Sequence, residues 1–363
     1  MKSTARRSLD VTEIPGDWLD VTPEWMTAAI RNHHPDAEVE DVTLMMRDDG
    51  TNRRARFQLG YSAGHGPETV FIKAEADAHR QLHARNGNLF NEAELFASGA
   101  LLPVDHPLVY RVIIDRPGLD YAIVMEDLSR RGADPRDATR PLSADQASKG
   151  LLGLARLHSH YLGFSSGGHP TLGWVQTWAP TEGFQVGLRA RVPIGMDRAA
   201  DLLPAEVRRL SGDEIVDVWS RFVSTLAGRG VTLLHGDAHI GNTYVLPDGD
   251  VGFLDWQVVR RGNWSQDVGY FLMGALDEHC RRSNEEALLS EYLDAVGLRP
   301  EDVESARLRY RASAAYGLAI WLSTLGSDGF QSREVSLTLA LRYARAFVDL
   351  DALGALSLIE AQR

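Results

Sequence analysis

The fold of this chain is decided by residues 233–242, Leu-Leu-His-Gly-Asp-Ala-His-Ile-Gly-Asn. An apolar run at 231–234 leads into a polar loop, and this loop carries Asp237 and, five residues later, Asn242. Two more short runs follow at 243–246 and 251–254, separated by Pro-Asp-Gly-Asp. Short apolar runs on either side of Asp-Gly predict a β-hairpin with a two-residue turn.

The predicted hairpin brings two oxygen-bearing side chains together. With Asp248 and Gly249 at the centre of the turn, Asn242 and Asp255 fall directly opposite each other. Directly opposed residues of a hairpin have Cβ atoms about 5 Å apart. Amide and carboxylate oxygens are hard ligands that suit Mg²⁺. The pair is therefore a predicted metal site, with Asp237 beside it at the start of the same loop.

Together, these three residues form a set that phosphoryl transfer uses. One carboxylate without an evident partner orients a hydroxyl, while an Asn and a second Asp hold Mg²⁺ against the phosphates of a nucleotide. The motif His235-Gly-Asp-x-His-x-Gly-Asn242, followed by Asp255-Trp, resembles that of the aminoglycoside phosphotransferase and choline kinase-like superfamily. The members of this superfamily are small-molecule relatives of the protein kinases.

The resemblance implies a fold and an activity. The implied fold class is α+β, a bilobal protein-kinase-like fold with a small antiparallel-sheet N-lobe carrying one helix and a larger, mainly helical C-lobe. The implied activity is ATP- and Mg²⁺-dependent transfer of a phosphoryl group to a hydroxyl of a small molecule, with GTP as the alternative nucleotide. Asp237 would be the general base or the orienter of the hydroxyl, and Asn242 and Asp255 would be the metal ligands.

A lysine and a glutamate upstream fit the same pattern. Lys73 lies near the end of the predicted strand 69–74, where the resemblance implies the lysine that contacts the α- and β-phosphates. Its partner would lie on the following helix, predicted from Asn88 as the cap to Gly99. Glu92 and Glu94 both qualify, and they point about 200° apart on a helix. The order Phe-x-Glu-x-x-x-Phe resembles the ecdysteroid kinase-like branch and favours Glu92, with Glu94 as the alternative.

Two further segments are predicted to contact the nucleotide. The turn at 47–54 lies where kinases cover the phosphates, but it has a single glycine, so Thr51 and Asn52 are the candidates to replace glycine amides. Glu126-Asp-Leu128 follows the strand predicted at 121–125. In the resembled family it closes the small lobe, and backbone groups there pair with the purine edge.

The resemblance divides the chain into three parts. Residues 1–40 are predicted to be a helical lead-in, 41–128 the nucleotide-binding small lobe, and 129–363 the catalytic and substrate-binding helical lobe. Within the last part, Ser283-Asn-Glu-Glu is expected to be a capping box. Residues 165–200 are expected to be irregular, with the role of a substrate flap or of a surface connection.

The amino-acid composition limits which binding partners and which cellular compartment are expected. The formal net charge of −12 over 363 residues argues against a nucleic-acid-binding surface. No apolar run approaches the length of a membrane span, and no apolar signal segment follows the basic start, so the chain is predicted to act away from membranes. The single cysteine, Cys280, fits a reducing compartment and predicts a cytoplasmic location. The charge would suit a cationic substrate without showing one.

The acceptor alcohol is left open by the sequence. Antibiotics, choline-like amines, sugars and lipophilic alcohols all have kinases of this build, and an antibiotic-resistance O-phosphotransferase is one specific alternative. The C-terminal helices are expected to build the acceptor pocket, with Asp277, Glu278, Tyr316 and Trp321 as candidates.

Two readings outside this enzyme class are a kinase-like binding protein without catalysis and a two-metal phosphohydrolase. For the hydrolase, Asp77-Ala-His79 and Asp237-Ala-His239 supply Asp-x-His, but no Gly-Asn-His follows.

Supporting roles are predicted for three residues near the motif. His158 is expected to be a core or supporting histidine and not a base. Asp267, in the first turn of a helix, would accept hydrogen bonds from the backbone of the loop, as the resemblance implies. His239 would shape the loop, with contact to a phosphate oxygen as its alternative role.

Overall fold

The computed structural model describes residues 12–227 and 230–362. The chain divides into two compact units. The small unit comprises the described residues up to Ala100 together with Pro107–Ala133, and the large unit comprises Leu101–His106 and the described residues from Asp134 onward. The basic start at residues 1–7 lies outside the described residues. The functional roles predicted for 1–40, 41–128 and 129–363 stay predictions.

The small unit is built on a five-stranded antiparallel sheet with the strand order β1-β2-β3-β5-β4. Its elements are α1 (Pro23–Ile30), β1 (Glu38–Asp49), β2 (Asn52–Ala63), β3 (Thr69–Glu75), α2 (Asp77–Asn86), α3 (Asn91–Ala97), β4 (Val109–Asp115) and β5 (Asp120–Glu126).

Both faces of this sheet are covered by apolar side chains. Trp25 and Met26 of α1 pack on one face, in a buried cluster with Phe57 of β2. Ala93 of α3 and Ile123 of β5 belong to the cluster on the other face. Burial of a large apolar side chain stabilises the folded state by about 1.5–3 kcal/mol. Successive side chains of a strand point to opposite faces of the sheet, so apolar residues reach both faces. Helix α1 packs on one face and α3 on the other.

The helix that carries Glu92 starts later than the sequence predicted. Helix α2 precedes it and ends at Gly87, whose φ of 71° is left-handed. The backbone N–H of Asn88 donates to the carbonyl oxygen of His83 at 3.2 Å, so Asn88 closes the end of α2. The prediction that Asn88 caps α3 is therefore wrong, because α3 begins after Phe90 without a side-chain cap.

The large unit is mainly helical. Its elements are β6 (Asp134–Pro135), α4 (Ala144–His160), α5 (Glu182–Ala199), α6 (Ala205–Arg208), α7 (Gly212–Ser224), β7 (Val231–Leu234), β8 (Thr243–Val245), β9 (Val251–Phe253), β10 (Arg260–Asn263), α8 (Ser265–Ala275), α9 (Glu278–Val296), α10 (Val303–Ala312), α11 (Ala314–Leu325), α12 (Arg333–Asp349) and α13 (Ala352–Ala361). Strand β7 pairs with β10, and β6, β8 and β9 form a second small sheet.

The segment Leu101–His106 belongs to the large unit although the chain around it belongs to the small one. The backbone N–H of Phe253 donates to the carbonyl oxygen of Asp105 at 2.8 Å. The hydroxyl of Tyr161 donates to the carbonyl of Leu101 at 2.8 Å, and Arg156 Nε donates to that of Pro103 at 3.1 Å. Helix α4 and strand β9 are thus tied to a segment distant in sequence.

Two predictions about helices in the large unit are wrong. Residues 165–200 are not irregular throughout, because α5 fills 182–199 in spite of Pro193 inside it. Ser283 does not begin a helix, since α9 starts earlier and is capped by the side chain of Asp277, which accepts from the backbone N–H of Cys280 at 2.8 Å. Helix α9 ends before Gly297, which has a left-handed φ of 76°.

Among residues 12–227 and 230–362, no helix combines the length and the apolar character needed to cross a membrane.

Candidate functional site

The loop after β7 is held through its backbone by one buried carboxylate. Asp267, in the first turn of α8, accepts hydrogen bonds from the N–H groups of His235 at 2.7 Å and Gly236 at 2.9 Å. Its side chain is fully buried. Hydrogen bonds to a charged acceptor are stronger than those between neutral groups. Asp267 therefore fixes the entry of the loop, in the role that the sequence predicted for it.

His158 reaches the same carboxylate from helix α4. Its Nε2 lies 3.2 Å from Asp267 Oδ2, and its Nδ1 lies 2.8 Å from the hydroxyl of Tyr292. Both His158 and Tyr292 are completely buried. The predicted supporting role of His158 is thus the one its position allows, because solvent and small molecules cannot reach the ring.

Gly236 is a position that only glycine fits. Its φ is 85°, and a Cβ built there would lie 2.0 Å from the carbonyl oxygen of Val258 and 2.8 Å from Arg260 Nε. Such separations are far inside van der Waals contact, and a left-handed φ disfavours other residues as well. The chain can therefore turn sharply just before Asp237.

Asp237 presents a partly exposed carboxylate, with 33% of its side chain accessible. The side-chain amide of Asn242 donates to the Asp237 backbone carbonyl at 2.9 Å and to its Oδ2 at 3.1 Å. Asn242 lies at the end of a 3₁₀ turn, Ile240–Asn242, and is itself buried. The structure thus brings Asp237 and Asn242 together, with one carboxylate oxygen oriented by an amide.

Both histidines of the motif shape the loop. The imidazole of His235 lies with Nε2 3.0 Å from the carbonyl oxygen of Leu254, while Nδ1 accepts from the Asp237 N–H at 3.3 Å. This arrangement needs the neutral ring with its proton on Nε2, because a carbonyl only accepts and an N–H only donates. Burial lowers the pKa of His235, against the opposing charge of Asp267.

His239 caps the 3₁₀ turn that ends at Asn242. Its Nδ1 accepts from the backbone N–H of Gly241 at 3.0 Å, and its Nε2 lies 3.7 Å from Asp237 Oδ2. Burial lowers the pKa of His239 as well, so the ring is neutral near pH 7. Contact with a phosphate oxygen, its alternative role, stays a prediction.

The hairpin after the loop has a different register from the one predicted. Thr243 pairs with Phe253 and Val245 with Val251, so Asn242 falls opposite Leu254, whose N–H donates to the Asn242 carbonyl at 3.0 Å. The turn holds three residues, Pro247 to Gly249, and Gly249 has a left-handed φ of 83°. The prediction that Asn242 and Asp255 are directly opposed is therefore wrong.

Asp255 follows the hairpin with a φ of 65°, a left-handed conformation that is uncommon for residues other than glycine. A one-residue change of register reverses the side to which each side chain points in a regular strand. The left-handed backbone at Asp255 ends that alternation, so the register alone does not decide where its carboxylate points.

The donor set suits a weakly protein-bound divalent cation. Among the described residues, no cluster of three or more His, Cys, Asp or Glu could hold a metal ion. Asn242 donates through its amide nitrogen, and its amide oxygen is a hard ligand of the kind Mg²⁺ takes. Mg²⁺ is commonly bound by one or two protein oxygens together with phosphates and water. Asn242 and Asp255 therefore fit Mg²⁺ better than a cation that needs a complete protein cage.

In the small unit, Lys73 and Glu92 form a buried ion pair. Lys73 Nζ lies 2.6 Å from Glu92 Oε2, and the two side chains are 8% and 4% exposed. Glu94 instead pairs with Arg116 near the surface. Of the two glutamates proposed from the sequence, the structure thus brings Glu92 to the lysine. The role of the pair in nucleotide binding stays a prediction.

The other four predicted nucleotide contacts are spread over the small unit. Thr51 is exposed in the turn between β1 and β2, whereas Asn52 is buried and donates to the Tyr121 hydroxyl at 3.1 Å. The Glu126 N–H donates to the carbonyl of Leu108 at 2.8 Å, and Leu128 begins a 3₁₀ turn, Leu128–Arg131. The Asn52 side chain and the Glu126 N–H are thus engaged within the unit.

Two donors to the loop were missed by sequence reasoning. Arg260 Nη2 and Gln266 Nε2 both donate to the carbonyl oxygen of Gly236, at 3.3 and 3.0 Å. Both side chains are buried. The sequence could have indicated Gln266. It lies beside Asp267 in a helix whose other side chains are mostly apolar, and buried polar groups need hydrogen-bond partners.

Aromatic side chains adjoin the loop. The ring of His239 packs against those of Trp321 and Tyr270, with centroids 5.1 and 5.8 Å away, and Tyr316 packs edge-on against Tyr270 at 5.1 Å. Burial raises the pKa of Tyr316 to about 12, with the charge of Arg260 opposing the rise.

Trp321 and Tyr316, two of the proposed acceptor residues, are thus near the loop. The other two are engaged elsewhere: Asp277 caps α9, and Glu278 pairs with Arg282 and Arg345.

The chain is similar to known proteins in part of its sequence and in its fold. Residues 196–298 match the model of the ecdysteroid kinase-like family. The structure is similar to that of spectinomycin phosphotransferase in complex with ADP and spectinomycin, with a TM-score of 0.52, 13% sequence identity, and coverage of 92% of this chain and 99% of that chain. At this identity the similarity establishes the fold alone. The predicted α+β, bilobal protein-kinase-like fold class is confirmed, and so is the resemblance read from the motifs.

Two further solved structures match less well. An amicoumacin kinase gives a TM-score of 0.48 at 16% identity, covering 85% of this chain and 88% of that chain. A choline/ethanolamine kinase family protein from Mesorhizobium loti gives 0.46 at 15% identity, covering 87% and 92%. No curated protein sequence matches the chain.

Proposed function

We propose that this protein is an ATP- and Mg²⁺-dependent kinase that phosphorylates a hydroxyl group of a small molecule. The observation that carries the proposal is the geometry of Asp237. Its carboxylate is partly exposed, and the Asn242 amide orients one of its oxygens. Asp267 fixes the loop that presents it. A partly accessible carboxylate on a backbone held by hydrogen bonds is suited to bind and orient an incoming hydroxyl.

In the proposed reaction, Asp237 accepts a hydrogen bond from the acceptor hydroxyl. The hydroxyl oxygen attacks the γ-phosphorus of ATP, the bond from that phosphorus to the β–γ bridging oxygen breaks, and ADP leaves. The proton of the hydroxyl passes to the Asp237 carboxylate. Because the transition state of phosphoryl transfer is loose, orientation of the hydroxyl contributes more than its deprotonation.

The metal and the nucleotide are assigned to separate groups of residues. Asn242 and Asp255 would hold Mg²⁺, which would neutralise charge on the transferring phosphoryl group. Lys73, held by Glu92 at 2.6 Å, would contact the α- and β-phosphates. The turn at Thr51 and Asn52 would cover the phosphates, and the backbone between Glu126 and Leu128 would meet the base of ATP, with GTP as the alternative nucleotide.

An acceptor screen tests the proposal. ATP consumption is measured over a panel of hydroxylated antibiotics (spectinomycin among them), choline-like amines, sugars and sterols. We expect one class to be phosphorylated, and Asp237→Asn to lower that turnover by roughly 10²–10⁴-fold, as for loss of a general base. Asp250→Asn, at an exposed turn, is the matched control.

Other results would point to the rival functions. Phosphorylation of an antibiotic alone would make the protein a resistance enzyme. No shift of the melting temperature with MgATP would indicate a kinase-like protein that has lost catalysis. Release of phosphate from phosphoesters without nucleotide would indicate a hydrolase. Equal turnover by the wild type and Asp237→Asn would overturn the role of Asp237.

A further inference from the structure

Arg260 occupies an unusual place for a buried cation. It is 4% exposed and begins β10, where it pairs with Leu234, the residue that precedes the loop of Asp237. Its Nε donates to the carbonyl oxygen of Val258 at 3.1 Å and its Nη2 to that of Gly236 at 3.3 Å. The guanidinium therefore lies against the left-handed turn at Gly236, where a Cβ would meet Arg260 Nε at 2.8 Å.

These contacts fix the peptide group that joins Gly236 to Asp237. Its carbonyl oxygen accepts from Arg260 and from Gln266. Its N–H donates to Nδ1 of His235 at 3.3 Å. A peptide group is planar, so fixing its oxygen and its N–H also fixes the direction in which the chain leaves toward the Asp237 side chain.

The ring of Trp178 contacts the planar face of the Arg260 guanidinium. The carbon of the Arg260 guanidinium lies 4.1 Å from the centroid of the Trp178 ring. A cation over an indole face is attracted by about 0.5–2 kcal/mol, and the planar guanidinium also stacks on it. Trp178 is partly accessible, and its ring packs edge-on against Trp219 at 5.4 Å and Tyr316 at 6.0 Å.

Trp178 belongs to the segment that precedes α5, and this segment is attached to the strand of Arg260. The N–H of Arg261 donates to the carbonyl of Gln176 at 3.0 Å, and Thr177 and Arg261 form a parallel bridge. The segment and the loop of Asp237 therefore share Arg260 as a common contact.

We infer that Arg260 is a positioning residue for Asp237, and that Trp178 makes this positioning depend on the segment before α5. The inference rests on the proposed function for its effect on turnover, but its structural part does not. Lysine cannot replace arginine, because an ammonium group lacks the planar fork that donates to two carbonyls while stacking on a ring.

The test combines hydrogen exchange of the backbone with kinetics. Amide exchange of residues 235–239 is measured in the full chain for the wild type, Arg260→Lys, Arg260→Gln, Trp178→Ala and Trp178→Phe. Turnover is measured with MgATP alone, with water as the acceptor. Arg261→Gln removes a neighbouring charge whose side chain donates to Ser166 Oγ at 3.4 Å, and is the matched control.

We expect faster exchange in 235–239 for both Arg260 variants and for Trp178→Ala, and a smaller change for Trp178→Phe, which keeps an aromatic face. We expect kcat to fall by roughly 10²-fold, as for a misplaced catalytic group, with the KM for ATP unchanged. The Arg260→Gln, Trp178→Ala double variant should be no worse than Arg260→Gln, since both act through one contact.

Unchanged exchange in the Arg260 variants would overturn the positioning role. Additive effects in the double variant would overturn the part assigned to Trp178. If Arg260→Gln does not fold, Arg260→Lys, alone and combined with Trp178→Phe, decides the same points. If the wild type hydrolyses no ATP with water as the acceptor, the exchange data alone decide the role of Arg260, and the acceptor screen decides the proposed function.

Discussion

Lys73 and Glu92 show how far single residues could be assigned from the sequence. The spacing of Phe90, Glu92 and Phe96 favoured Glu92, but Glu94 fitted the helix as well. The structure separates them by burial: Glu92 is 3% exposed beside Lys73, and Glu94 faces Arg116. Which side of a short helix is buried depends on the sheet it packs against, and a single sequence does not contain that information.

Substitution of the two glutamates distinguishes their roles. Glu92→Gln removes the charge from the buried group that Lys73 Nζ contacts at 2.6 Å, so we expect the free energy of unfolding to fall by about 3–5 kcal/mol and the KM for ATP to rise. Glu94→Gln is the matched control. It breaks a pair whose arginine side chain is 64% exposed, and we expect a change below about 1 kcal/mol. Urea unfolding gives both values, and equal losses would contradict the assignment.

The buried His235 ring predicts a pH dependence of stability. The pKa of His235 is lowered in the folded protein. At pH values below about 6.5, the imidazole therefore binds a proton in the unfolded chain but stays neutral in the folded chain. Stability therefore falls as the pH falls through this range, by at most about 1.4 kcal/mol per pH unit for one proton. Urea unfolding at pH 7.5 and 5.5 should show a smaller loss in His235→Gln than in the wild type. Parallel losses in the two proteins would exclude His235 as a source.

At the scale of elements, local sequence patterns predicted some features correctly, but not the register of the hairpin or helix α5. The sequence Ser143-Ala-Asp-Gln146 forms a capping box at the start of α4, since the Ser143 hydroxyl accepts from the Gln146 N–H at 3.2 Å. The predicted register of the hairpin is wrong by one residue, because Asp-Gly fits both a two-residue turn and a three-residue turn with a left-handed glycine. In the observed register Tyr244 pairs with Gly252, where a Cβ would meet the Tyr244 ring at 2.2 Å.

Helix α5 was missed because its composition is that of a loop. Glycines at 183, 187 and 195 and Pro193 all lower helix propensity. Gly195 shows why tertiary packing overrides that preference: a Cβ there would lie 1.9 Å from the carbonyl oxygen of Leu322 on α11. The two helices can approach closely only at a residue without a side chain.

This packing gives a prediction for α5 with its own control. Gly195→Ala forces the two backbones apart, and we expect a loss of about 1–3 kcal/mol in the free energy of unfolding, as for other overpacked sites. Gly183→Ala in the same helix meets nothing within 4 Å and should stabilise the protein by about 0.5–1 kcal/mol. Chemical denaturation measures both changes, and a stable Gly195→Ala variant would contradict the close approach of α5 and α11.

At the scale of the whole molecule, the fold persists with little sequence identity. The alignment to spectinomycin phosphotransferase covers 92% of this chain at 13% identity. That fold was predicted from the motif around Asp237. In the structure, hydrogen bonds join this loop to Asn242 and to the buried Asp267. Arg260 and Trp178 could not be predicted in the same way, since they lie 82 residues apart in the chain and meet only in the folded protein.

Because Leu101–His106 belongs to the large unit, the position of this segment affects how the protein can be divided into shorter polypeptides. The polypeptide leaves the small unit after Ala100 and returns to it at Pro107, so no single cut separates the two units intact. A polypeptide beginning at Asp134 lacks the carbonyls of Leu101, Pro103 and Asp105, which accept hydrogen bonds from Tyr161, Arg156 and Phe253.

We therefore expect the 134–363 polypeptide, expressed alone, to melt at a lower temperature than the same polypeptide supplied with a synthetic 98–108 peptide in trans. Calorimetry with and without the peptide measures the difference, and a peptide of scrambled order is the control. Complementation by the peptide would show that the large unit takes up this segment even when the segment is not covalently joined to it.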